Sequence, residues 1–249
     1  MKLVIDVGNT RLKWAEWNAP DLSPLQSTVH LDRPWESLFD EQWPANRSHP
    51  VEVWVSNVGG VEFEAALRLW GASHWACPLY FVRSEARAAG VVNAYSSPER
   101  LGSDRWANLV GAYALGLAPN LIVSAGTAIT ADWIDGDGLH RGGFITPGIH
   151  LMQRALKDNT KIERIDAPND LRWVPAQDTE SAIKRGTLYS VVAWIEYLAA
   201  STEQRLNTKI VPVLTGGDAE LLAERLKIAV DVKPELTLLG LVRLAEKQL

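Results

Sequence analysis

The feature that most constrains this chain is a pattern that occurs twice. A short apolar run over Lys2–Asp6 meets the small-residue turn Gly8-Asn9-Thr10, and the chain resumes as a second run over Arg11–Trp17. The second half opens the same way: Leu121–Val123, then Ser124-Ala125-Gly126-Thr127, then Ala128–Ile134. Each instance predicts a β-hairpin around a glycine-bearing turn. The echo of DVGNTRLKW in SAGTAITADW predicts an internal duplication. Around these hairpins Val51–Val55 and Leu79–Val82 predict buried strands, and Leu139–Phe144 predicts a returning strand after the turn at Asp135-Gly136. Phe63, Ala66, Leu67 and Trp70 recur at the spacing of one helix face. Trp43–Pro50 reads as a surface loop inside a domain. Strands mixed with helices in both halves predict an α/β protein of two similar lobes, mixed sheets flanked by helices, facing a cleft. The boundary falls at Leu117-Ala118-Pro119-Asn120, giving lobes of residues 1–118 and 119–249.

Composition narrows the function classes. Lys and Arg total 25 against 30 Asp and Glu, a net charge of −5. That balance disfavours a broad nucleic-acid surface and leaves room for a local phosphate pocket. No apolar run approaches the ~20 residues that cross a bilayer. The opening MKLVIDVGNT has one lysine and an apolar stretch cut short by Asp6, so it does not read as a secretory signal. The single Cys77 leaves no internal disulfide and no multi-cysteine zinc site. A cytoplasmic location is the expectation. His30, His49, His74, His140 and His150 lack metal-ligand spacing. Asp135-Gly136-Asp137-Gly138 lacks the glutamate that closes a calcium loop and predicts a hairpin turn.

Four segments could carry chemistry. At Asp6-Val7-Gly8-Asn9-Thr10, a glycine after a buried strand lets backbone N–H groups approach an anion. Asn9 and Thr10 add side-chain donors, Lys13 adds a cation, and Asp6 could hold a hydrated magnesium ion. Ser124-Ala125-Gly126-Thr127 repeats the idea, and two such turns could grip one polyphosphate. No Walker loop and no G-x-G-x-x-G occurs. Thr215-Gly216-Gly217-Asp218 follows a strand over Ile210–Leu214 and opens a helix with Asp218 as N-cap and Leu221, Leu222 and Leu226 inward. In Gly102-Ser103-Asp104-Arg105 the following helix buries Trp106, Leu109, Val110, Tyr113 and Leu117. Asp104 and Arg105 therefore fall in its first turn, where the helix dipole favours an ionised carboxylate. Such an aspartate can accept a hydroxyl proton, and the arginine can bind a carboxylate or phosphate. Taken singly, each segment is as readily a plain hairpin turn or a capped helix start.

Together the segments resemble the type III pantothenate kinase family, also called the Bvg accessory factor family, a branch of the actin-like sugar kinase and Hsp70 superfamily. The resemblance rests on DVGNTRLK, YSSPERLGSDRWAN, GTAITAD, GGFITPG, DTESAIKRG and TGGDAELL, in that order. It implies two duplicated actin-like (ribonuclease H-like) lobes. It further implies transfer of the ATP γ-phosphoryl group to the primary hydroxyl of pantothenate, the first step of coenzyme A synthesis. Carried over by resemblance, Asp6, Val7, Gly8, Asn9, Thr10, Arg11, Leu12 and Lys13 form the first ATP loop, and Thr127 is the second ATP contact. Gly102, Ser103, Asp104 and Arg105 match the pantothenate-binding turn, with Asp104 as proton acceptor, and Tyr95 and Thr179 match further pantothenate contacts. The resemblance implies Mg2+ with ATP and a homodimer.

One position departs. Where the family has an aspartate that ligates a monovalent cation, K+ or NH4+, this chain has Ser124. A hydroxyl offers an oxygen without charge, so the metal site is not carried over, although another carboxylate such as Asp132 could compensate. Two rival readings stay open: another kinase of the same superfamily acting on a sugar or acetate, and a catalytically weak nucleotide-binding accessory or regulatory protein. The helix expected from Thr179 to about Leu206 carries Gly186, which could admit a second backbone at a dimer interface or simply lie in a monomer core.

Overall fold

The computed structural model describes every residue except 47, 163–164, 166–171 and 248–249; Arg47, within the loop expected at Trp43–Pro50, therefore lies outside the described residues. The chain divides into two compact units. One comprises Met1–Ala118, Gly136–Arg141 and Glu235–Leu249; the other comprises Pro119–Asp135 and Gly142–Pro234.

The first unit begins with β1 (Lys2–Val7), β2 (Arg11–Asn18), β3 (Asp21–Leu22), β4 (Gln26–Val29), α1 (Trp35–Gln42), β5 (Val53–Asn57), α2 (Val61–His74) and β6 (Leu79–Phe81). A small hairpin of β7 (Arg87–Ala88) and β8 (Val91–Val92) leads through a 3-10 turn at Pro98–Arg100 into α3 (Ser103–Ala114). The sheet order is β3-β2-β1-β5-β6, with β4 also pairing β2. β1 and β2 are antiparallel, whereas β1, β5 and β6 run parallel. Residues 3–5 of β1 are apolar throughout and fully inside, as expected of a central strand covered on both faces. One face packs on Phe39, Phe63, Leu67 and Trp70 from α1 and α2. The other packs on Ala107 of α3 and on Leu238 and Leu241.

The second unit contains β9 (Asn120–Ala125), β10 (Ala128–Ile134), most of β11 (His140–Pro147), α4 (Ile149–Asn159), α5 (Thr179–Leu206), β12 (Val213–Thr215), α6 (Ala219–Ala223) and β13 (Asp231–Val232). Its sheet order is β11-β10-β9-β12-β13. β9 and β10 are antiparallel, and β9, β12 and β13 run parallel. In order of appearance both sheets thus read third, second, first, fourth, fifth when β4 is set aside. The duplication expected from the two hairpins is present in the topology, and the fold is the expected α/β class.

The last helix, α7 (Leu236–Glu246), lies against α3. Two glycines permit the crossing: a Cβ on Gly240 would stand 1.9 Å from the Ala107 carbonyl oxygen, and one on Gly111 would stand 2.7 Å from that of Leu236. Thr237 donates to Asn108 at 2.8 Å inside the crossing.

Several local expectations shift. β6 is an edge strand with Tyr80 exposed and Leu79 and Phe81 half-buried, because among the described residues only β5 pairs with it. α3 ends at Ala114, leaving Leu117 beyond it. α6 is five residues long and leaves Leu226 outside; Asp218 stands at its start but its side chain makes no capping hydrogen bond. In α5 the apolar residues Ile183, Val192, Ile195 and Leu198 point inward, while Tyr197 is exposed.

Candidate active site

Asp6 lies at the end of β1, where the central strand reaches the turn. It pairs in register with Lys13 on β2 and with Ser56 on β5. Its carboxylate is buried, and among the described residues Oδ1 has no hydrogen-bond partner. Burial, followed by the negative charge of Asp104, pushes its pKa up to about 7, against the pull of Lys13 and a hydrogen bond with Ser56. A buried carboxylate oxygen without a partner is costly. A hydrated divalent cation would supply both the missing partner and the opposing charge, so the residues present fit magnesium at this position.

The turn after Asp6 is held from behind. Gly8 donates its N–H to the Arg11 carbonyl at 3.0 Å, closing the hairpin. Val7 and Leu12 are fully buried, so only their backbone can meet a ligand. Gly59 packs against the turn: a Cβ there would lie 2.9 Å from Val7 Cγ1 and 3.1 Å from the Gly8 carbonyl oxygen.

Asp104 sits in the first turn of α3, and the Arg105 N–H donates to its Oδ1 at 2.8 Å. The carboxylate folds back over Gly102, where a Cβ would lie 2.6 Å from Oδ1, so glycine is required for this pose. Ser103 is buried and exchanges a 3.1 Å hydrogen bond with Ser56. Asp6, Ser56 and Ser103 therefore form a polar thread from the end of β1 to the start of α3. Arg105, far from the exposed arginine of an ordinary helix start, is 5% exposed and donates to the Tyr95 hydroxyl at 3.0 Å. Tyr95 stacks on the buried His140 ring, with centroids 6.1 Å apart. The segment before α3 is pinned by two more buried side chains. Ser84 donates to the Leu101 carbonyl at 2.8 Å, and the Asn93 amide donates to the Glu85 and Pro98 carbonyls while accepting from Tyr95 N–H.

In the second unit the turn Ser124–Thr127 is enclosed by backbone. Gly148, just before α4, would bring a Cβ to 2.0 Å from the Gly126 carbonyl oxygen, and Gly216 would bring one to 2.1 Å from that of Ala125. The N–H groups of Gly148 and Asp218 donate to the carbonyls of Thr127 and Ala125. Thr179 is exposed at the start of α5, where Asp178 caps the helix by accepting from Ser181 N–H at 2.8 Å.

Comparison with known proteins decides the family. The family model described as type III pantothenate kinase matches residues 2–201. A type III pantothenate kinase of Laribacter hongkongensis is 37% identical over 98% of this chain and 98% of its own. Another from Nitrosococcus oceani is 33% identical over 99% and 94%. This chain belongs to the type III pantothenate kinase family. Solved structures agree on the fold. A Campylobacter jejuni protein described as a Baf family transcriptional activator superposes with a TM-score of 0.61 at 19% identity, covering 99% of this chain and 98% of that one. A Sinorhizobium meliloti protein described as a 2-dehydro-3-deoxygalactonokinase gives 0.58 at 12%, covering 99% and 96%. The fold is actin-like.

For this type III pantothenate kinase family member, the first unit gathers Asp6, Lys13, Tyr95, Gly102, Ser103, Asp104 and Arg105, while Thr127 and Thr179 belong to the second. Ser56, Ser84, Asn93 and His140 take part in the site's scaffold, a role that no sequence pattern assigns to them. Each is a single polar residue in an apolar or irregular stretch, with no spacing pattern to mark it. The one available hint was the small turn Asn57–Gly60 after a strand, which resembles the other glycine turns.

Proposed function

We infer that the chain is a kinase that transfers the γ-phosphoryl group of ATP to the primary hydroxyl of pantothenate, forming 4'-phosphopantothenate. The carrying observation is the pair of carboxylates in the first unit, Asp6 with its partnerless buried oxygen and Asp104 at the start of α3, in a chain of this family. Asp6, Gly8, Asn9, Thr10, Arg11 and Lys13, the backbone of Val7 and Leu12, and Thr127 contact ATP. Asp6 would hold a hydrated magnesium ion, which neutralises phosphate charge when bound. Tyr95, Gly102, Ser103, Arg105 and Thr179 bind pantothenate. Asp104 orients the hydroxyl and takes its proton as the oxygen bonds to the γ-phosphorus and the bond from that phosphorus to the β–γ bridging oxygen breaks. The transition state of such transfers is loose, so positioning and charge neutralisation outweigh base strength. The ring of Tyr95, fixed on His140, holds the Arg105 guanidinium in place for an anionic or polar substrate group.

Residues 1–118 and 119–249 are proposed as the duplicated lobes. A homodimer is proposed on the family resemblance; Trp173, Val174 and Tyr197 are exposed, and among the described residues a Cβ on Gly186 would meet nothing within 4 Å beyond its own helix backbone. A cytoplasmic location fits an enzyme of coenzyme A synthesis, and among the described residues no helix is long and apolar enough to cross a membrane. The test is a coupled assay of purified protein with ATP, Mg2+ and pantothenate, with the product identified by mass. Formation of 4'-phosphopantothenate is expected; ATP consumption with a sugar or acetate and none with pantothenate would overturn the reading.

A further inference from the structure

His30 lies just after β4 and is 7% exposed. Its Nε2 is 2.8 Å from the Gly8 carbonyl oxygen, and its backbone N–H donates to the Thr10 carbonyl at 3.1 Å. One residue, twenty-two positions along the chain from Gly8, thus engages two carbonyls of the β1–β2 turn. A carbonyl accepts, so the ring carries its proton on Nε2. Trp35 lies against the imidazole, with centroids 4.7 Å apart, and fixes its plane.

The consequence follows from peptide geometry. In a planar trans peptide the C=O of one residue and the N–H of the next point in opposite directions. Fixing the Gly8 carbonyl on His30 therefore aims the Asn9 N–H away from His30. The Thr10 carbonyl, held by the His30 backbone, fixes the next plane but one in the same manner. An anion-binding turn depends on the direction of such N–H groups. We propose that His30 is a positioning residue of the kinase: it locks the Gly8–Asn9 peptide plane, and through the Thr10 carbonyl the far end of the turn, so that the Asn9 N–H faces the ATP phosphates. This rests on the reading that the turn holds those phosphates.

Three variants test it by steady-state kinetics. His30→Leu keeps the volume and removes the donor; His30→Gln places an amide N–H near the position of Nε2. Lys13→Met probes the phosphate reading by itself. The loss of one hydrogen bond to a carbonyl that orders the turn predicts about a tenfold rise in KM for ATP in His30→Leu. KM for pantothenate should stay unchanged, and His30→Gln should return near wild type. A normal ATP KM in His30→Leu alongside a raised one in Lys13→Met overturns the positioning role and leaves the phosphate reading standing. A normal ATP KM in both Lys13→Met and His30→Leu overturns both. If His30→Leu does not fold, His30→Asn replaces it, because its shorter amide cannot reach Gly8; equal ATP KM values for the Gln and Asn variants would then overturn the proposal.

Discussion

The two hairpin turns share a scaffold and differ in chemistry. Asp6 and Ser124 occupy the same place in their sheets: each lies near the end of a central strand, with an antiparallel partner on one side and a parallel partner on the other. Their parallel partners are both hydroxyl residues, Ser56 and Thr215. Each turn is also braced by a glycine from the loop after that parallel strand, Gly59 or Gly216. Yet the first turn carries a buried acid with a partnerless oxygen, and the second carries a neutral hydroxyl. The backbone arrangement that lets an anion approach is duplicated; the group fit for a cation is present on one side.

The sharpest test of this asymmetry is at the reacting end of the acidic side. Asp104→Asn keeps the shape and the hydrogen bond that Oδ1 accepts from Arg105, and removes the proton acceptor. Turnover should fall about 10²–10⁴-fold, with ATP binding unchanged and no loss of thermal stability. Near-normal turnover would remove Asp104 from the role of base.

Asp6 makes a prediction of opposite sign for stability. In the unfolded chain its carboxyl ionises near 3.8, the ordinary value for an aspartate, and in the native protein at about 7. Between these pH values the native state holds a proton that the unfolded state has released. Stability from this group is therefore full below pH 4 and is lost as pH rises through about 7. Asp6→Asn escapes that loss. The ligand-free variant should melt on the order of 10 °C above wild type at pH 8, the two should converge near pH 4, and activity should be lost. A gap that is the same at both pH values would show that ionisation of Asp6 is not its source.

Glycine replacements separate scaffold from ligand contact on both sides. A Cβ on Gly8 would lie 3.5 Å from its nearest neighbour and one on Gly126 3.8 Å, ordinary contacts. Gly8→Ala and Gly126→Ala should fold with normal melting temperatures and raise KM for ATP about tenfold, the scale of one obstructed backbone hydrogen bond. Gly216→Ala should instead lose about 2–4 kcal/mol of stability, because its φ of +99° is unfavourable for alanine and its Cβ would enter the Ala125 carbonyl.

These contrasts also mark how far sequence reading reaches. The hairpins were legible because an apolar run interrupted by Gly8 or Gly126 leaves few alternatives, and α2 and α3 because their apolar residues repeat every three to four positions. Asp104 and Arg105 could be placed in a first helical turn from the spacing of Trp106, Leu109 and Val110. What could not be read was long-range: Ser56 meets Ser103 across 47 positions, and Thr237 meets Asn108 across 129. Hydrogen bonds of that separation leave no local periodicity. The edge position of β6 was hidden for the same reason, since neighbours in a sheet are set by crossovers rather than by the strand's own residues.

The smallest effect concerns Ser124 itself. Its hydroxyl contributes an oxygen and no charge, and among the described residues no group of three or more His, Cys, Asp or Glu side chains is arranged to hold a metal. A hydroxyl in place of a carboxylate removes a full negative charge from beside the turn, and with it that charge's Coulomb attraction for a cation. Replacing potassium by sodium at constant ionic strength should change kcat/KM for ATP by less than about twofold, a few tenths of a kcal/mol. Ser124→Asp would restore to the second turn the acid that the first possesses, and the rate should then rise with potassium. A steep potassium dependence already present in the wild-type enzyme would mean that a carboxylate elsewhere, Asp132 being the buried one on the neighbouring strand, supplies the charge in its place.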